Sequence, residues 1–185
     1  MVVAGGTTSL GSGNYDLYLI ALSPDGERTM YKTYGMPQYD IAEDLILTSD
    51  GGILVTGYGD QEGRDPNNVL AVKFDAQGTR IWSKRIGERK SFDYGEAVLE
   101  LEDGTFLIGG AMTGTNTGEN DALILHLDAE GKTLATVNFD VEGGNEWAFD
   151  LCRLPSGRIA AAGHALPDDD GKQDVLLMIL DPDSM

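Results

Sequence analysis

Asn68–Gly87, NVLAVKFDAQGTRIWSKRIG, decides how the chain is read. It reads as an apolar strand, a tight turn at Asp75-Ala76-Gln77-Gly78, and a second strand carrying Trp82. The turn is punctuated by Asp and Gly. The flanking runs are short, rich in β-branched and aromatic residues, and lack the length or period of a helix.

The unit recurs along the whole chain. Gly5, Gly57, Gly110 and Gly163 fall at spacings of 52, 53 and 53 residues. The same steps relate Asp16, Asn68, Asp121 and Asp174, and also Leu22, Phe74, Leu127 and Leu180. The turn glycines Gly26, Gly78 and Gly131 follow, as do Asp40, Asp93 and Glu146. A repeat of this size marks an architecture in which one unit cannot bury its own apolar face.

Each full unit holds four apolar runs: p (Ile53–Tyr58), q (Asn68–Asp75), r (Thr79–Gly87) and s (Tyr94–Leu101). The q runs alternate. Tyr18, Ile20 and Leu22 become Leu70, Val72 and Phe74, then Leu123, Leu125 and Leu127, then Leu176, Met178 and Leu180. That face reads as the packing face. The other, with Ala21, Lys73, His126 and Ile179, is mixed. Asp50-Gly51, Asp103-Gly104 and Ser156-Gly157 carry the two-residue signal of primed hairpin turns. Four strands per unit of about 50 residues predicts an all-β, propeller-like array of four-stranded antiparallel blades. The units run over 1–50, 51–103, 104–156 and an incomplete 157–185, about three and a half repeats in a single repeat domain. Runs p and q occur four times, r and s three times. This predicts a fragment of a longer propeller or chains that associate to cover open ends.

The formal net charge is −18. It argues against nucleic acid, which needs clustered Lys and Arg, and against an anionic membrane surface, and it favours solubility. No run approaches the roughly 20 apolar residues of a membrane-spanning helix, and no signal-peptide pattern opens the chain. The single Cys152 forms no internal disulfide and suits a half-buried place in an s strand.

In a meandering blade the s–p and q–r turns share one end and the p–q and r–s loops the other. Here the second set is long and polar, which makes it the candidate binding surface for a protein or glycan partner. One group on it is Tyr39-Asp40, Phe92-Asp93-Tyr94 and Glu146-Trp147. These residues either hold a cation, amine or sugar on an aromatic platform, or serve the fold by capping their own loops. A second group is Asp168, Asp170 and Asp174, dense enough in oxygen to be weighed as a Ca²⁺ site, although the spacing is not that of a helix–loop–helix calcium loop. His126 and His164 lack metal-ligand spacing, and neither a nucleophile elbow nor a phosphate loop is present.

The pattern D-x-x-G-x-x-x-W-x-K-x-x-G over Asp75–Gly87, followed by D-Y-G-x-x-V-x-x-x-x-D-G-x-x-x-x-x-G over Asp93–Gly110, resembles a family of bacterial and archaeal extracellular β-propeller repeats. The turn ending at Gly78 with Trp82 is similar to the tryptophan-docking motif of pyrroloquinoline-quinone-type propellers. The resemblance covers the whole chain and implies a propeller that is often exported, with no assigned activity. The docking Trp occurs once, and no quinone set maps onto the sequence. These observations predict a non-catalytic binding or structural scaffold. The alternatives are a glycan-acting hydrolase using loop carboxylates and a calcium-dependent adhesion module.

Overall fold

The computed structural model describes residues 1–11, 14–35, 39–61, 64–87, 91–113, 118–141, 144–166 and 172–185. Those residues form fourteen strands in four antiparallel sheets. The first sheet is β1 (Val2–Thr7), β2 (Asp16–Leu22) and β3 (Arg28–Tyr34). The second is β4 (Asp40–Leu47), β5 (Ile53–Gln61), β6 (Arg64–Phe74) and β7 (Arg80–Ile86). The third is β8 (Asp93–Glu100), β9 (Phe106–Thr113), β10 (Asn120–Leu127) and β11 (Thr133–Phe139). The fourth is β12 (Asn145–Arg153), β13 (Ile159–Leu166) and β14 (Asp174–Leu180).

Each sheet is a plain meander in the order s-p-q-r, so an s strand joins the sheet after the unit in which it is read. Sequence unit and sheet are out of step by one strand. Among the described residues the first sheet is accordingly p-q-r and the fourth s-p-q.

Both faces of an inner sheet are packed. Leu70, Val72 and Phe74 of β6 lie with Leu17 and Leu19 of β2 in the core between the first and second sheets. Val69 and Ala71, one residue away and therefore on the opposite face, join Leu123, Leu125 and Leu127 of β10 in the second core. Ala122 and Ile124 then meet Met178 and Leu180 of β14 in the third. The mixed face is therefore also a packing face. Its polar members are accommodated where they fall. Lys73 is buried and donates to both oxygens of Asp50, at 2.9 Å each. His126, in the equivalent place, meets the Thr105 hydroxyl at 2.9 Å. In the first sheet the alternation is inverted from expectation. Leu17 and Leu19 are fully buried, whereas Tyr18, Ile20 and Leu22 are only partly covered, because among the described residues the second sheet packs on the Leu17 and Leu19 face alone. Cys152 is exposed, on the face of the fourth sheet that no other described sheet covers.

Strands β4, β8 and β12 approach one another and the neighbouring sheets, so the sheets are closest along the s column. The repeat glycine explains how. A Cβ on Gly57, Gly110 or Gly163 would collide with the carbonyl of Ile41, Tyr94 or Trp147 on the adjacent s strand. The register of each s strand shifts just beyond that contact, leaving one extra residue: Glu43, Glu96 and Phe149. Gly5, whose sheet lacks an s strand, has nothing within 4 Å of that position.

The turns differ from the primed two-residue form. Gly51 N–H donates to Thr48 and Thr48 N–H to Gly52, a pattern repeated at Leu101–Thr105 and Leu154–Arg158. With Gly51, Gly104 and Gly157 at φ 82°, 82° and 85°, these are three-residue loops closed by one left-handed glycine. The q–r turns share the pattern, and Asp75 and Asp128 each accept two backbone N–H groups within them. Trp82 docks on the following unit's turn. Its indole N–H donates to the Ala129 carbonyl at 2.9 Å, and a Cβ on Gly131 would come within 2.9 Å of the ring.

The glycine contact gives an internally controlled prediction. Gly110→Ala should cost about 1–3 kcal/mol through backbone collision, while Gly5→Ala should leave the urea midpoint within error. Equal effects at both positions would refute this account of the repeat.

Candidate functional site

Adjacent residues of a strand point to opposite faces, and this separates the acids from the aromatics paired with them in sequence. The acids point inward. Asp40 is fully buried and ion-paired with Arg85, whose guanidinium also lies beside the Tyr34 ring. Asp93 is buried and accepts from the Ser91 hydroxyl at 2.5 Å. Glu146 is fully buried, and its carboxylate lies with those of Asp121 and Asp140 in a group whose oxygens are within 4.8 Å of one another. Burial, and then the Asp140 charge, push the Asp121 carboxyl above its ordinary range. Such positions serve junctions between strands rather than a solvent-facing platform.

The aromatics point outward. Tyr39 is exposed and stacks on Tyr15 at 5.7 Å, where the two residues form a parallel bridge. Phe92 is exposed, and its backbone is fastened to Thr113. Tyr94 and Trp147 belong to a continuous row. Tyr58 meets Tyr94 edge-on at 5.1 Å, Tyr94 meets Trp147 at 4.9 Å, and Trp147 stacks on Phe149 at 5.7 Å. His164 closes the row 5.0 Å from Phe149, with burial holding its imidazole below the usual value. Asp174 is exposed at the start of β14, and Asp168 and Asp170 lie outside the described residues.

The strand irregularities add what the sequence reading missed. The extra residue of each s strand is re-aimed by its bulge, and in β4 and β8 that residue is a glutamate. Burial pushes the Glu96 carboxyl up to about 7, with the Glu43 charge adding to it. Burial also raises Glu43. The same two carboxylates, with Tyr94 and Tyr15, bear on the Tyr58 hydroxyl, whose titration moves upward through burial first. Glu43, Glu96 and the row Tyr58–Tyr94–Trp147–Phe149–His164 thus form one partly covered strip along the s column. A strip of this kind has π faces, a proton held near neutral pH and two acceptors. It suits a ligand with an apolar body and a positive or donor-rich end.

The only sequence signal for these glutamates is their place three residues after each repeated acid: Asp40 to Glu43 and Asp93 to Glu96. Strict alternation assigns no special direction to that position, so only the bulge reveals it.

No family model and no curated protein matches the chain.

Two outcomes are expected. Glu96 is neutral more readily folded than unfolded, so its contribution to stability is complete below about pH 4.5 and is lost as pH rises through about 7. Glu96→Gln should therefore match the parent at pH 4 and exceed it by about 1–2 kcal/mol at pH 8, the gain being limited because water still screens this side chain. Denaturant melts at both pH values check this, and a pH-independent difference would contradict it. Separately, Arg85→Met should cost about 3–5 kcal/mol by removing the cation ion-paired with the buried Asp40. The double variant Arg85→Met/Asp40→Asn should recover part of that loss.

Proposed function

We propose that the chain is a propeller-type repeat scaffold that binds an alkylammonium-bearing ligand on the strip along its s strands. The observation that carries this reading is the pairing of Glu43 and Glu96 with a row of rings at 4.9–5.7 Å. The propeller reading is supported by four meanders of one strand order, by the closest approach of the sheets at the s column, and by the Trp82 dock onto the next unit's turn. The likeness to exported propeller repeats fits a binding role in place of dedicated chemistry. Fold alone does not choose a ligand, so the ligand class is argued from the strip. A cation placed over Trp147 or Tyr94 is attracted to the ring faces, and it relieves the like-charge contact between the two glutamates.

A second reading comes from the same carboxylates. One acid held near neutrality within reach of a second carboxylate's charge is the arrangement of a general acid and its partner in glycoside cleavage. Turnover of a chromogenic glycoside that is lost in Glu96→Gln would favour that reading.

The test of the first is a titration with butylammonium in a Trp82→Phe background, so that fluorescence reports Trp147. Binding should strengthen as pH rises through about 7, where Glu96 becomes charged. It should weaken at least tenfold in Glu43→Gln/Glu96→Gln, and n-butanol should bind far less. Equal responses to butylammonium and n-butanol would remove the cation site.

A further inference from the structure

We propose that the outer face of the last sheet is covered by the first sheet of a second copy of this chain, stacked head to tail.

Three times within the chain, one kind of sheet face packs on another kind. The face carrying Val69 and Ala71 receives the face carrying Leu123 and Leu125, and the face carrying Ala122 and Ile124 receives the face carrying Met178 and Leu180. Leu17 and Leu19 receive Leu70 and Val72 in the same way. Every giving and receiving residue named is at most 9 % exposed. Among the described residues, the first and fourth sheets each leave one such face uncovered. On β14, Val175, Leu177 and Ile179 occupy the repeat positions of Ala122, Ile124 and His126, yet are 87 %, 65 % and 44 % exposed. On the first sheet, Val3 and Tyr31 flank Ile20 at the repeat position of Val72, and are 41 % and 50 % exposed.

A sheet face meant for water alternates to polar residues. This one instead replaces the internal Lys73 and His126 with Ile179. Contiguous apolar surface of this sort marks an interaction site. The occupant follows from the repeat. The mate that already fits a face of the Val69 or Ala122 kind is a face of the Leu70 or Leu123 kind, and the chain displays a spare one at its other end. Because the contact joins unlike faces, it is heterologous, closing into a ring or growing into a filament. The described strands of the first sheet are p, q and r, so the second copy covers β13 and β14, closing over the His164 end of the strip beside Val175, and leaves Trp147 and Phe149 of β12 open to ligand.

The experiment is sedimentation velocity on the full chain, with Leu177→Asp and Ile20→Asp as variants and circular dichroism as the folding control. Val175→Lys, at the most exposed position, serves as a second variant of the same face. The parent should sediment as a dimer or larger species, and each variant alone as a folded monomer. An equimolar mixture of Leu177→Asp and Ile20→Asp should recover a dimer, since each supplies the face the other has lost. A parent that stays monomeric up to about 100 µM, well above the micromolar range of specific association, overturns the proposal. So does loss of association in one variant only without rescue on mixing, which would signify like-to-like pairing. Capture of a different protein by a monomeric parent would assign the face to another occupant and overturn it equally.

Discussion

An inner sheet of this chain has apolar side chains on both faces, and that requirement governs the rest. A sheet with one dry face and one wet face can end a stack. A sheet such as β4–β7, with Leu70 and Val72 on one side and Val69 and Ala71 on the other, must be sandwiched. At roughly 1.5–3 kcal/mol for each fully buried Val, Leu or Phe side chain, the stack outweighs any single polar contact in the molecule. The polar residues inside it are therefore the ones that adapt. Lys73 runs its stem through the core and reaches Asp50 at the turn, where the carboxyl, held low by that amine and by Thr48 and Gly52, remains in water.

Stacking alone would give parallel slabs. What brings the s strands together is the glycine opposite them. With no Cβ at Gly57, Gly110 and Gly163, the s strand settles onto the p backbone, and the bulge that follows takes up the mismatch. One local device thus sets where the sheets are closest and swings Glu43, Glu96 and Phe149 out of the regular alternation. Fold and candidate site have the same cause here. The residues that let the sheets converge also deliver two carboxylates and an aromatic ring to the line of convergence.

The repeat was legible in the sequence because its signals are backbone demands. Glycines at close approaches and turn ends, and alternation in q, survive changes of side chain. The four p and q strands and three r and s strands follow from it directly. Other features were not legible. Alternation says which residues share a face but not how many faces are covered, so Tyr18, Ile20 and Leu22 read as core although Leu17 and Leu19 are. Asp-Gly suits several hairpin turns, and only the bond from Thr48 to Gly52 selects the three-residue form. Asp40, Asp93 and Glu146 recur in the sequence at the repeat spacing. Their recurrence reflects buried junctions, whereas their sequence neighbours Tyr94 and Trp147 face the other way.

The charge of the chain bears on the proposed ligand in two ways that differ in range. A net −18 spread over the surface attracts cations from a distance, but at physiological salt each surface charge is felt over only about 8 Å. It therefore speeds encounter without defining a site. The Glu43 charge acts on Glu96 where burial already raises both carboxyls, so on the proposed reading this pair is what discriminates. A neutral sugar gains little from relieving it, whereas an ammonium group neutralises the pair and stacks its alkyl neighbours on Trp147. The same short range makes the general acidity compatible with the proposed stacking of copies. The residues proposed to face one another, Val175, Leu177, Ile179, Val3 and Tyr31, are uncharged, and a charge set against them is the Arg28 guanidinium over the Tyr31 ring.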